Sequence, residues 1–159
     1  MPWWTGAECL VFFNSFFGAD MTGSVFSVLH WCVLLAALMP ILCAGMAKSN
    51  GFGKPVHEGG YDNAMPRQWL AGQTGWRARA HAAQANGFEA FPFFIGAVAL
   101  AQHAGADAAR LDMLAVVYVA LRVVYVALYI ADRANARSLA WILALATNIA
   151  ILFSAAPGA

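Results

Sequence analysis

Polar and apolar positions alternate in long blocks along this chain, not residue by residue. Residues 21–47, 113–121, 123–131 and 139–159 contain no Asp, Glu, Lys or Arg. A helix that crosses the hydrocarbon layer needs about 20 mostly apolar residues, and these runs meet that length once the two flanking Arg122 are joined. A fourth apolar stretch, "AAQANGFEAFPFFIGAVAL", is interrupted by Asn86, Glu89 and Pro92. The pattern predicts four helical spans, near 25–47, 80–101, 113–131 and 139–156. In lipid every backbone polar group must be satisfied within its own helix or in a closed barrel, and these runs are too long for barrel strands. An all-α, four-transmembrane-helix bundle over residues 25–156 follows.

The connections are polar. "KSNGFGKPVHEGGYDNAMPRQW" packs four glycines and two prolines into one loop, and a helix is expected to resume near Pro66, with a break at Gly72 or Gly75. "HAGADAARLD" joins the second and third spans, and "DRANARS" joins the third and fourth. Residues 1–24, which open "MPWWTGAECLVFFNSFFGAD", form an aromatic-rich extension without the charged n-region of a signal peptide. Two readings stay open for it: an interfacial segment, or a stretch upstream of a true start at Met21.

Composition sharpens this picture. The chain is 62% hydrophobic and 11% charged, with a net charge of +1, against about 25% charged in soluble domains. No basic patch tracks phosphates, so no nucleic-acid partner is expected. Cys9, Cys32 and Cys43 lack metal-type spacing; Cys32 and Cys43 share a helix face but lie roughly 16 Å apart along it, too far for a disulfide. His57, His81 and His103 have no helical partner at ligand spacing, and no metal site is expected. His30 and Pro40 in the first span read as a headgroup contact and a tolerated kink.

The interrupted span carries the chemistry. At 100° per residue Asn86 and Glu89 lie about 60° apart, with Arg79 about 20° from Asn86 and Phe93 on the same side. Pro92 removes the amide that would bond the Phe88 carbonyl. In the third span Tyr118, Tyr125 and Tyr129 all fall within about 60° of Arg122. A charge at the bilayer centre costs from about 2.5 to more than 10 kcal/mol. Glu89 and Arg122 are therefore expected to face inward as a structural ion pair, a pairing that serves helix assembly as readily as function. Trp141 and Asn148 share a face of the fourth span, where a lone polar residue reads as interhelical glue.

"RARAHAAQANGFEAFPFF" followed by "RVVYVALYIADRANARS" resembles the MAPEG superfamily, the membrane-associated proteins of eicosanoid and glutathione metabolism. The likeness covers residues 25 to 156 and rests on Asn86, Glu89 and Pro92 and on Arg122, Tyr125 and Tyr129; the "YDNAMPR" loop looks like the bacterial branch. The resemblance implies a homotrimer in a bacterial inner membrane, in contact with lipid. Glutathione would be the co-substrate, bound between subunits near the cytoplasmic side. Asn86, Glu89, Tyr125 and Tyr129 would contact it, and Arg137 would be the catalytic residue that stabilises the thiolate, with Arg133 the competitor. The implied activity is a glutathione-dependent transferase or peroxidase acting on a small lipophilic electrophile. One departure stands out: the arginine that catalytic branches carry one turn before the asparagine is Ala82 here, and Arg79 is the residue that would reach the same carboxylate. The alternative is a non-catalytic membrane protein whose Glu89 and Arg122 network serves trimer assembly.

Lys48, Lys54, Arg67, Arg77 and Arg79 follow the first span and Arg133 and Arg137 the third, while the opposite side has only Arg110. Positive loops stay inside, so loops one and three should be cytoplasmic and both termini non-cytoplasmic. A reporter active only outside the cytoplasm should therefore work when fused after Ala159 and fail when inserted near Lys54. The opposite pattern would reverse the topology.

Overall fold

The computed structural model describes residues 26–155; the extension at residues 1–24, with Cys9 and the alternative start at Met21, lies outside the described residues. Helix α1 spans Val28–Lys48, a short α2 Pro66–Ala71, α3 Gly75–His103, α4 Ala108–Ile130 and α5 Ala134–Leu152. The expected break is present: α2 begins with Pro66 in its first turn, ends at Gly72, and α3 starts at Gly75 with φ of 61°. Glycine takes that left-handed conformation at no steric cost.

The four long helices pack as one bundle in which α3 and α4 each touch all the others, with α1 and α5 at opposite corners. Helices α1, α4 and α5 are long and apolar enough to cross a membrane. Helix α3 carries Arg77, Arg79 and Glu89 and does not meet that measure, but its 29 residues reach about 43 Å at 1.5 Å per residue.

Many large apolar side chains point outward. Trp31, Leu35, Ile41 and Leu42 of α1, Val123 and Val124 of α4, and Leu139 and Ile142 of α5 are exposed. In water this would be an aggregation surface, but against lipid tails it is the matching solvent. The interior combines a few large side chains, Phe94, Leu111 and Ile151, with many small ones, including Ala36, Ala47, Ala80, Ala83, Ala97, Ala101, Ala115 and Ala144. With no hydrophobic drive between helices in lipid, such residues let backbones approach and gain dispersion contacts. Pro40 of α1 packs on Gly87 of α3 so closely that a Cβ at 87 would stand 3.0 Å from the proline Cβ. Cys32 and Cys43 are buried free thiols.

The long loop is folded against the bundle end. The Tyr61 amide donates to the Gly51 carbonyl at 3.0 Å, Tyr61 meets Trp69 edge-on at 5.3 Å, and Lys48 sits 4.5 Å above the Tyr61 ring. Gly60 is required here, because a Cβ would collide with the Lys54 carbonyl.

At the other end, Asp112 of α4 accepts a hydrogen bond from the Leu29 amide in the first turn of α1 at 3.0 Å. The carboxylate satisfies one orphan amide and opposes the positive end of the α1 dipole. His30, exposed, takes the Ser27 amide on Nδ1 at 3.2 Å and so completes this cap. Asp112→Ala is therefore expected to lower bundle stability by about 1–2 kcal/mol, read as a lower midpoint of unfolding in detergent. An unchanged midpoint would mean the cap adds nothing.

Candidate functional site

Helices α3 and α4 run antiparallel and are tied at three heights. Arg79 Nε donates to the Ile130 carbonyl at 3.1 Å, Arg122 Nη1 donates to Asn86 Oδ1 at 3.0 Å, and the Tyr118 hydroxyl donates to the Ala90 carbonyl at 3.5 Å. The spacing of two turns and then one turn along α3 is matched by the same steps backward along α4. Above the last tie Phe94 stacks on Tyr118, with centroids 4.2 Å apart and planes 9° from parallel. Helix α3 stays continuous through Pro92.

Arg122 is 4% exposed and lies over the Tyr125 ring at 4.5 Å. Tyr125 meets Tyr129 edge-on at 5.6 Å, and Arg137 lies 4.3 Å above Tyr129. The third-span stripe thus becomes a ladder of alternating cation and ring, from the middle of α4 to the first turn of α5. The turn between the helices is tight because Asp132 adopts φ of 61°, a left-handed conformation that Asp tolerates better than most residues. Its carboxylate reaches Arg79 Nη1 at 3.4 Å. Arg137 is consequently inside α5 rather than in a loop, as the span estimate of 139–156 implied.

The expected ion pair between Glu89 and Arg122 is not formed. Arg79 pairs instead with Asp132. Asn86 stands opposite Arg122 and takes its guanidinium; Glu89, three residues further along α3, is about 4.5 Å higher on the helix and exposed. Asn148 also departs from its expected part: its Oδ1 is buried and has no hydrogen-bond partner among the described residues, so it ties no helix through that atom. A second nitrogen of Arg122, Nη2, is buried and unpartnered in the same way.

Of the predicted contact residues, the fold gathers Asn86, Tyr125, Tyr129 and Arg137 along one ladder with Arg122 and leaves Glu89 at its side. Arg79 is engaged by Ile130 and Asp132. Ala82 lies between Arg79 and Asn86, half-buried, and supplies no polar group. Asp112 and Asp132, neither singled out from the sequence, hold the two ends; the signal for Asp132 was its place in a short interhelical turn. No group of His, Cys, Asp and Glu that could hold a metal occurs among the described residues.

The MAPEG family model matches residues 28–157, which include every residue of this ladder. No curated protein and no solved structure matches the chain.

If Asn86 rather than Glu89 satisfies Arg122, the two substitutions must differ. Asn86→Leu leaves a buried charge without its acceptor and should destabilise the solubilised subunit by about 3 kcal/mol, whereas Glu89→Leu should change it by less than about 1 kcal/mol. Equal losses in chemical denaturation would restore the Glu89 pairing.

Proposed function

Because the chain belongs to the MAPEG family and is an integral membrane protein, we propose that it is a glutathione-dependent transferase or peroxidase acting on lipophilic electrophiles, with its site completed by a neighbouring subunit of a homotrimer in a bacterial inner membrane. The observation that carries this reading is Glu89. It is an exposed carboxylate in the middle of a helix that packs among three apolar ones, and it has no hydrogen bond or ion pair among the described residues. A carboxylate on such a helix calls for a partner from outside the subunit, and intramembrane carboxylates are functional by default.

The residues present fit glutathione as a substrate in charge and hydrogen-bonding capacity. Glu89 offers an acceptor for the ammonium group, and Asn86 retains its amide nitrogen as a donor after Arg122 has taken its oxygen. Tyr125 and Tyr129 offer hydroxyls along the same face. Arg122 is the structural member, holding Asn86 and Tyr125 in place. Ala82 contributes nothing to a carboxylate, and Arg79 is the cation nearest to that role along α3.

Arg137 supplies the chemistry. Its guanidinium is held over Tyr129 in the first turn of α5, where the free amides of the helix add further positive potential. A thiol bound there loses its proton to solvent more easily, since nearby positive charge favours the thiolate. The sulfur lone pair then forms the new S–C bond while the leaving group departs with its bonding pair. The electrophile comes from the lipid phase, so the protein contributes position and charge, not a covalent intermediate.

A second reading, a non-catalytic membrane protein, is favoured by one specific observation: Arg79, the substitute for the missing arginine at 82, is already engaged by Asp132 and Ile130. Binding of glutathione to the detergent-solubilised protein separates the two readings, and its clean absence would leave only the second. For the enzyme, Arg137→Leu should preserve assembly and lower conjugation of a model electrophile by about 10-fold or more, corresponding to about 1.4 kcal/mol per pKa unit of lost thiolate stabilisation. Arg133→Leu is the matched control. Loss at 133 with full activity in the 137 variant would move the role to Arg133.

A further inference from the structure

Helix α4 ends in a Schellman turn that carries aspartate where glycine is the usual residue. The Arg133 amide donates to the Leu128 carbonyl at 2.9 Å and the Asp132 amide to the Tyr129 carbonyl at 3.2 Å, the two bonds of that motif. Asp132 holds the left-handed position, with φ of 61°, at a steric cost that glycine would avoid. What aspartate adds is its carboxylate, which meets Arg79 Nη1 at 3.4 Å. The motif satisfies the carbonyls of Leu128 and Tyr129 and leaves that of Ile130 outside it. Arg79 Nε donates to that third carbonyl at 3.1 Å. One guanidinium therefore grips both the last carbonyl of α4 and the side chain of the turn residue, a two-point contact that suits the rigid fork of arginine.

Both ends of this grip are anchored. Ala80, next to Arg79, is fully buried in a cluster with Ala47 and Leu70, and Ile130 packs on the same cluster. The turn itself has no slack. Arg133 closes the end of α4 through its amide and is also the N-cap of α5, where its carbonyl accepts from the Arg137 amide at 2.9 Å. Only Ala131 and Asp132 separate the last residue of α4 from that cap. The Arg137 guanidinium, one turn into α5, lies 4.3 Å above the ring of Tyr129, the residue whose carbonyl the Asp132 amide holds. A change at Asp132 therefore shifts the start of α5 relative to Tyr129. Asp132 is exposed, and an exposed ion pair adds little stability, so the contact acts on position more than on the strength of the fold.

We infer that Arg79 and Asp132 form a clasp that fixes the α4–α5 turn and so sets Arg137 over Tyr129, which makes Arg79 a positioning residue and not a substrate contact. The action of Arg137 on a thiol rests on the function proposed above; its placement by the clasp does not.

The test places 3-fluorotyrosine at position 129 of the full-length protein in detergent, without glutathione, and follows its fluorine NMR resonance, which senses a guanidinium over the ring. Arg137→Leu marks where the resonance lies without the cation. Asp132→Asn keeps a residue that tolerates the left-handed conformation and removes the charge. It and Arg79→Gln should each move the resonance toward the Arg137→Leu position, and the double variant should move it no further than Arg79→Gln alone, because the two residues act as one unit. An unmoved resonance in any of the three single variants, or a double-variant shift that adds the two, would overturn the clasp. With glutathione present, kcat for a model electrophile should fall several-fold in both Asp132→Asn and Arg79→Gln while KM for glutathione stays unchanged. A raised KM in Arg79→Gln would make Arg79 a substrate contact and overturn its positioning role. A protein that shows the fluorine shifts but binds no glutathione keeps the clasp and loses the proposed function, so the two failures are distinct.

Discussion

A guanidinium buried in a bundle of apolar helices is the constraint around which the rest of this protein is arranged. Arg122 has lost nearly all contact with solvent, and an unmatched cation in such a medium would be driven out or would pull the helices apart. It is retained because Asn86 accepts from one nitrogen and the Tyr125 face lies against its plane. That tie sets the height at which α3 and α4 meet. Arg79 then falls opposite the end of α4, and Tyr118 falls opposite the carbonyl of Ala90. Small residues on α3, Ala83 and Gly87 among them, let α1 close over the same level. A cleft remains on the side toward α5, and Arg122 Nη2 and the Asn148 oxygen are buried without a hydrogen-bond partner among the described residues.

The same arginine organises the charges beyond it. Tyr125 and Tyr129 carry the ladder toward the α4–α5 turn, and Arg137 completes it from the first turn of α5. A cation at a helix N-terminus is unfavourable with respect to the dipole, and the Tyr129 face offsets only part of that cost. An anion bound beside it relieves both the cation and the dipole. On the proposed reading this is where the fold would favour a thiolate: the unfavourable placement of Arg137 in the free protein becomes favourable when negative charge arrives. The opposite arrangement holds at Asp112, where a carboxylate already sits at the start of α1 and nothing further is required.

Helix α3 is the least apolar of the four long helices, and its two halves differ. Its second half, with Phe94, Ala97, Val98 and Ala101 buried, is ordinary core. Its first half carries the polar anchors, and Glu89 stands where the two meet. Placing these groups on the helix that touches all three long neighbours makes a single stripe the helix adhesive, and the proposed binding face draws on the same residues.

The sequence by itself determined the class of solvent, the number and order of long helices, and the faces on which the polar groups lie, because those depend on composition and on a helical period that holds within a single segment. The break at Gly72 and Gly75 was legible for the same local reason. The partner of Arg122 was not. A helical wheel gives direction around an axis but not the height at which two axes are brought together, and a shift of less than one turn exchanges Asn86 for Glu89. Asp112 and the Leu29 amide, or Arg79 and the Ile130 carbonyl, are separated by 83 and 51 residues and share no pattern that a local period could reveal. Only packing decided those contacts, and only packing left Arg122 Nη2 and Asn148 Oδ1 buried without a partner among the described residues, since a group's lack of a partner depends on everything that surrounds it.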